Sequence, residues 1–191
     1  MADASLVTIS SFFVVGINYI KSDAYVRGQF SINPSQYLNL LADAKTCGLG
    51  NVFVLSTCNR TEIYGISEDV NNLTALLCRH TAGDLDTFKS RCYVRQGNAA
   101  IEHLFNVAAG LDSQILGDYE IVGQIKLSTK TAKKEGCLNN FLERMINEVL
   151  QASKFIRSNT KMSSGTVSVS FAAVKYIKNN FTRNNKPKVL V

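Results

Sequence analysis

The chain has 191 residues, of which 46% are hydrophobic and 19% charged, a composition that excludes a disordered polypeptide and suits one core-bearing domain with an appended element. Five cysteines without a Cys-x-x-Cys pair, and only two histidines, argue against a disulfide framework and a metal centre; no apolar run approaches the roughly 20 residues of a bilayer span and no basic segment precedes the first apolar stretch, so a cytoplasmic protein without membrane contact is expected. The net charge of +6 is unevenly spread, with 8 Lys and Arg against 12 Asp and Glu through Ile125 and 13 against 3 from Lys126 onward, which suits a polyanionic partner or, equally, solvated helix faces.

In chain order, the apolar stretch over 12–19 predicts a first strand. Asn33-Pro34 marks a helix start and Gly48 lies just past its expected end, while Leu38, Leu41 and Lys45 give that helix only a moderate stripe. Val52-Phe53-Val54-Leu55 and Ile63-Tyr64-Gly65-Ile66 read as two further strands, followed by a helix over 72–80 and a strand over 91–95. This order is the split pattern of a ferredoxin-like βαββαβ domain, an α+β fold. From Asn98, expected as a cap, the pattern turns helical, with Ile101, Leu104, Phe105 and Ala108 at offsets 0, 3, 4 and 7 and Gly110 closing the helix. His103 lies about 200° around that helix from Ile101 and is expected to face away from its core stripe.

A loop over 111–117 leads to Asp118, expected to cap a helix that carries Glu120 and Gln124 one turn apart on a single face. Phe141, Met145, Val149, Ala152 and Ile156 recur at helical spacing in a long amphipathic segment, and after the break at Ser163-Ser164-Gly165 a last helix is expected over 167–181. These stripes read as packing and not as a cofactor box. Lys186-Pro187-Lys188-Val189-Leu190-Val191 reads as the start of a strand. No dinucleotide fingerprint is present, because Gly48-Leu49-Gly50 precedes a strand and Phe53 stands in the third glycine's place; a P-loop is absent too.

Ser56-Thr57-Cys58-Asn59-Arg60-Thr61-Glu62 places one thiol on the polar connection between two buried strands, with a guanidinium two residues away. A nearby cation favours the thiolate, and Thr57, Asn59 and Thr61 offer hydrogen bonds to a bound carbonyl or carboxylate. A turn cysteine acting only as a small hydrophobe is the plainer alternative.

Three segments together resemble the glutamyl-tRNA reductases, the family that reduces the glutamyl ester on its tRNA to glutamate-1-semialdehyde in the first step of C5 tetrapyrrole (porphyrin) synthesis. They are Leu55-Ser56-Thr57-Cys58-Asn59-Arg60-Thr61-Glu62; His103-Leu104-Phe105 with Gly110-Leu111-Asp112-Ser113-Gln114-Ile115-Leu116-Gly117; and Ser164 with Val167-Ser168-Val169-Ser170-Phe171-Ala172-Ala173. Val15-Gly16-Ile17-Asn18-Tyr19 is similar to that family's opening strand.

The resemblance implies a catalytic domain over 1–160, a segment of a long spinal helix over 161–185, and over 186–191 the opening strand of an NADPH-binding domain that the chain does not otherwise contain. It implies Cys58 as nucleophile and thioester former, His103 as a second catalytic residue, and Thr57, Asn59, Arg60, Ser113, Asp118, Tyr119, Glu120 and Gln124 as substrate-binding residues. The family's Glu-Pro-Gln is replaced by Asp118-Tyr119-Glu120, which shortens the acid and changes the other two side chains. NADPH would serve the full-length enzyme, with no cofactor expected on this fragment. Glutamyl-tRNA is the implied partner, with a homodimer formed through a missing C-terminal domain and a possible contact with the aminotransferase that uses the aldehyde. Two other classes remain open, a non-catalytic tRNA-binding module and a cysteine esterase of small substrates.

Overall fold

The computed structural model describes residues 9–160 and 169–181. After a 3-10 turn at Ile9–Ser11, β1 (Phe12–Asn18) is buried along its whole length, as its unbroken apolar run requires of a strand covered on both faces. Then follow α1 (Ala24–Gln29), α2 (Pro34–Thr46), β2 (Val52–Ser56), β3 (Arg60–Ile66), α3 (Val70–Arg79), α4 (Leu85–Arg91) and β4 (Tyr93–Gln96). The sheet order is β2-β3-β1-β4 with every neighbour antiparallel, which is the ferredoxin-like arrangement. α5 (Asn98–Ala108), α6 (Glu120–Lys134), α7 (Asn140–Asn159) and α8 (Val169–Phe181) complete the described chain.

Local signals account for most boundaries. Asn33 caps α2 in a full capping box with Gln36, and Pro34 occupies its first turn. α1 and α4 carry no visible period because six and seven residues are under two turns; their one signal is the Asp cap at Asp23 and Asp84. The strand expected over 91–95 begins at Tyr93, because α4 continues to Arg91. Asn98 is the first residue of α5 and not its cap; Gly97, at a φ of 60°, makes the turn that only glycine adopts easily.

Residues opposite one another in the register share a face of the sheet. Phe12, Phe53 and Tyr64 stack on one face, where Phe141 of α7 and His103 of α5 cover them. The other face meets α2 and α3: a Cβ on Gly65 would lie 3.0 Å from Leu73 Cδ2. β2 is an edge strand, and its exposed backbone is closed by side chains. Tyr37 Oη accepts from Val54 N at 3.3 Å, and Ser128 Oγ of α6 donates to Val54 O at 2.5 Å.

Of the expected spinal segment 161–185, only Val169–Phe181 is described, as α8; the strand expected over 186–191 lies outside the described residues. Among the described residues no helix is long and apolar enough to cross a membrane.

Candidate active site

Pairing of β2 with β3 ends at Ser56 opposite Thr61, and the chain reverses in the four residues that follow Ser56. Thr57 N donates to Arg60 O at 2.8 Å, while Thr57 Oγ1 accepts from the backbone N–H groups of Asn59 and Arg60, each at 3.2 Å. The threonine hydroxyl therefore does the work of a turn's backbone partner. Cys58 sits at the crest with its thiol free and exposed. Two outside contacts hold this crest: Tyr19 N donates to Asn59 O at 2.9 Å, and Arg27 Nε donates to Cys58 O at 3.1 Å. Arg27 is itself anchored by Nη1 on Ser22 O at 2.5 Å.

The turn forms one wall of a cleft of about 180 Å³, and the start of α6 with the loop before it forms the other. Eight of the ten site residues expected from sequence line it: Thr57, Cys58, Asn59, Arg60, Ser113, Asp118, Glu120 and Gln124. Asp118 Oδ1 accepts from Glu120 N at 3.0 Å, but Asp118 is not the cap expected: the helix begins at Glu120 and its cap residue is Tyr119, whose side chain makes no capping hydrogen bond. Glu120 and Gln124, one turn apart, present a carboxylate and an amide to the same cleft. Tyr119 does not line it. Its ring lies under the Arg157 guanidinium at 4.5 Å, and its buried hydroxyl has no hydrogen-bond partner among the described residues.

His103 is also outside the lining, and here the helical-wheel expectation fails. It does not face away from the core. α5 is packed on two sides, by the sheet and by α6 and α7, so the stripe opposite Ile101 meets β-strands and not water. His103 Nε2 lies 2.9 Å from Glu62 Oε1; an ionised carboxylate only accepts, so Nε2 carries the hydrogen.

Glu62 is the hub beneath the cleft and is fully buried. It accepts from Arg60 Nη1 at 3.0 Å, from Tyr64 Oη at 2.6 Å and from Tyr93 Oη, in addition to His103. Burial alone would push its carboxyl up, but the Arg60 charge, the His103 contact and the Tyr64 hydroxyl outweigh it and hold the group down at about 2. The same proximity works on its partners, because burial and the Glu62 charge push the Tyr64 and Tyr93 hydroxyls far up, keeping them as donors. Gly16 makes the crossing possible. It stands between Glu62 and Tyr93 in the register, and a Cβ there would lie 2.6 Å from both Glu62 Cγ and Thr61 O.

Arg60 differs from expectation as well. Sequence chemistry offers its charge to the thiol or to a substrate carboxylate. The folded chain commits Nη1 to Glu62 and, at 2.8 Å, to Asp112 Oδ2, with Nη2 on the Asp112 carbonyl, and the residue is 2% exposed. Ligand atoms of Glu62, His103 and Asp112 lie within 4.8 Å of one another, and the cation among them is the Arg60 guanidinium. The residues that sequence reasoning passes over are thus Arg27, Glu62, Tyr64, Tyr93 and Asp112. Glu62 carried one signal: an acid two residues from Arg60 on a buried strand must share its face.

The family described as "Glutamyl-tRNAGlu reductase, N-terminal domain" matches residues 15–160. The glutamyl-tRNA reductase of Flavobacterium psychrophilum is 46% identical over 95% of this chain and 44% of its own length. That of Christiangramia forsetii is 45% identical over 94% of this chain and 43% of its own length. The structure titled "Glutamyl-tRNA Reductase from Methanopyrus kandleri" superposes with a TM-score of 0.70 at 25% identity, covering 89% of this chain and 40% of that one. The chain thus spans less than half the length of the relatives it matches. With the Cys58 turn, the adjoining cleft and a match over residues 15–160, the chain belongs to the glutamyl-tRNA reductase family, in the region of its N-terminal domain.

Proposed function

We propose that this chain is the catalytic portion of an NADPH-dependent glutamyl-tRNA reductase and that it performs the acyl-transfer half of the reaction. The observation that carries the reading is the exposed Cys58 thiol on a turn held by hydrogen bonds from Thr57, Tyr19 and Arg27, beside a cleft lined by residues that the family resemblance names. Cys58 Sγ attacks the ester carbonyl of glutamyl-tRNA; the carbon–oxygen bond to the terminal ribose breaks, and the thiol proton goes to the departing hydroxyl. The products are a Cys58 thioester and free tRNA. Ordered turn geometry aids this step by holding the thiol where the carbonyl arrives.

The cleft divides recognition by chemistry. Asp118 and Glu120 meet the substrate's ammonium, while Thr57, Asn59, Ser113 and Gln124 offer neutral hydrogen bonds to its oxygens. Arg60 borders the cleft with its guanidinium held by Glu62 and Asp112, and His103 acts as a positioning residue through Glu62. Because no glycine fingerprint follows a strand in this sequence, this reading assigns NADPH and the reduction of the thioester to another part of the enzyme. In this reading residues 1–160 are the catalytic domain, 161–185 belong to the spinal helix and 186–191 open the NADPH-binding domain. The full-length enzyme is cytoplasmic, forms a homodimer through a C-terminal domain, and passes its aldehyde to the aminotransferase of the C5 route.

The test is intact-protein mass spectrometry after mixing with glutamyl-tRNA. A glutamyl adduct that maps to Cys58 and vanishes in Cys58→Ser is expected. Binding of tRNA that weakens steeply with salt, without any adduct in the unsubstituted chain, would make this a binding module instead. Efficient turnover of esters lacking a nucleoside would make it an esterase.

A further inference from the structure

The loop over 111–119, which with the start of α6 forms the cleft wall facing the Cys58 turn, is tied at both ends to one face of α7. At its origin, Ser153 Oγ of α7 donates to Ala108 O, at the end of α5, at 2.6 Å. One turn further along α7, on the same face, the Arg157 guanidinium lies 4.5 Å from the centre of the Tyr119 ring. Between these ties the loop closes on itself, with Gly117 N donating to Gly110 O at 3.0 Å, while Arg60 holds Asp112. Tyr119 differs from its neighbours in direction. Asp118 and Glu120, on either side of it, line the cleft, whereas Tyr119 stands outside the lining with its hydroxyl buried.

We propose that Tyr119 and Arg157 are a positioning pair: the guanidinium stacked on the ring fixes the backbone from Asp118 to Glu120, and so the direction in which both carboxylates face the Cys58 thiol. The inference rests on the reading of Asp118 and Glu120 as the groups that meet a substrate ammonium. The physical case is one of leverage. Three consecutive residues share two rigid peptide planes, so a ring held on one side settles where its neighbours' side chains leave on the other. The hydrogen bond within the tripeptide, from Glu120 N to Asp118 Oδ1, is local and cannot orient the segment against the rest of the molecule. The Arg157 contact can, because Ser153 fixes α7 against the helix from which the loop springs. Arginine suits the task, since its planar group stacks on an aromatic face, and among the described residues Arg157 makes no salt bridge that would compete for it. The Tyr119 hydroxyl has no hydrogen-bond partner among them either, so the ring face carries the contact.

Arg157→Met and Tyr119→Ala test the pair. Alkylation of Cys58 is mapped by peptide mass spectrometry with two reagents, cationic 2-bromoethylammonium and neutral iodoacetamide. The ratio of their rates reads how well the carboxylates face the thiol, and Glu120→Gln sets its lower limit. Each variant is expected to lower the ratio about two- to fivefold, the range an exposed cation–π contact gives, and to leave the iodoacetamide rate unchanged. The double variant should fall no further than the worse single one. Tyr119→Phe, which keeps the ring, should recover most of what Tyr119→Ala loses. Half-saturation of Cys58 acylation by glutamyl-tRNA should rise by the same factor at an unaltered limiting rate. An unchanged ratio, equal losses with both reagents, or additive losses in the double variant would overturn the pair. Should glutamyl-tRNA fail to acylate the unsubstituted protein, the acylation reading falls, and the reagent ratio decides the pair by itself.

Discussion

Glu62→Gln keeps the shape of the buried side chain and removes its charge, leaving the Arg60 guanidinium with Asp112 as its one remaining acidic partner among the described residues. Two routes give the size of the effect. Folding lowers the carboxyl from 4.5 to about 2, which corresponds to roughly 3–4 kcal/mol of stability at about 1.4 kcal/mol per unit. Breaking a buried ion pair by removing one partner costs about 3–5 kcal/mol, and retention of the half-buried Asp112 contact places this case at the lower end. A loss of about 3 kcal/mol at pH 7 is therefore expected from urea unfolding curves. The pH dependence has a definite sign. Because the folded-state value is depressed, the contribution is present in full above the unfolded value of 4.5 and is lost as pH falls toward about 2. The stability difference between the two proteins should therefore shrink across that window. A loss under about 1 kcal/mol at pH 7, or a difference independent of pH from 5 to 2, would refute the claim that the ionised carboxylate is the hub.

The other substitutions probe neighbouring links. Gly16→Ala puts a Cβ 2.6 Å from Glu62 Cγ and from a backbone oxygen, and should cost about 3 kcal/mol, seen as a melting temperature lower by about 10 °C. Ser128→Ala removes the donor to Val54 O and a partner of Tyr37, whose hydroxyl burial pushes up to about 12. It should cost about 1–3 kcal/mol in urea unfolding and speed amide exchange along β2. Arg27→Met frees the Cys58 carbonyl while leaving the core intact; acylation of Cys58 should slow at least about tenfold with stability within about 1 kcal/mol of the parent.

The short-range features were legible because their causes are short-range. Asn33, Gln36 and Pro34 start α2 with atoms they carry themselves. The apolar runs on either side of Cys58 make a hairpin wherever their partners lie, and the segment from Ser113 to Gln124 reaches the cleft because a short loop joins it to α5. Recognition of the family rested on those same segments, whereas the ferredoxin-like pattern came from the order of strand and helix signals; eight of the ten residues named from sequence line one cleft.

Where side chains point once two elements meet could not be read from one element at a time. A helical wheel knows one apolar stripe, whereas α5 is covered on two sides, so His103 turned inward to Glu62. Arg60 looked like a free cation until Asp112, 52 residues away in sequence, closed on it. By itself the sequence determined the helix starts and the two strands flanking Cys58, since backbone patterning is local, and the resemblance supplied the residues found along the cleft. Only the tertiary structure decided which charge answers which, because a buried ion takes its partner from whatever folding brings within hydrogen-bond reach.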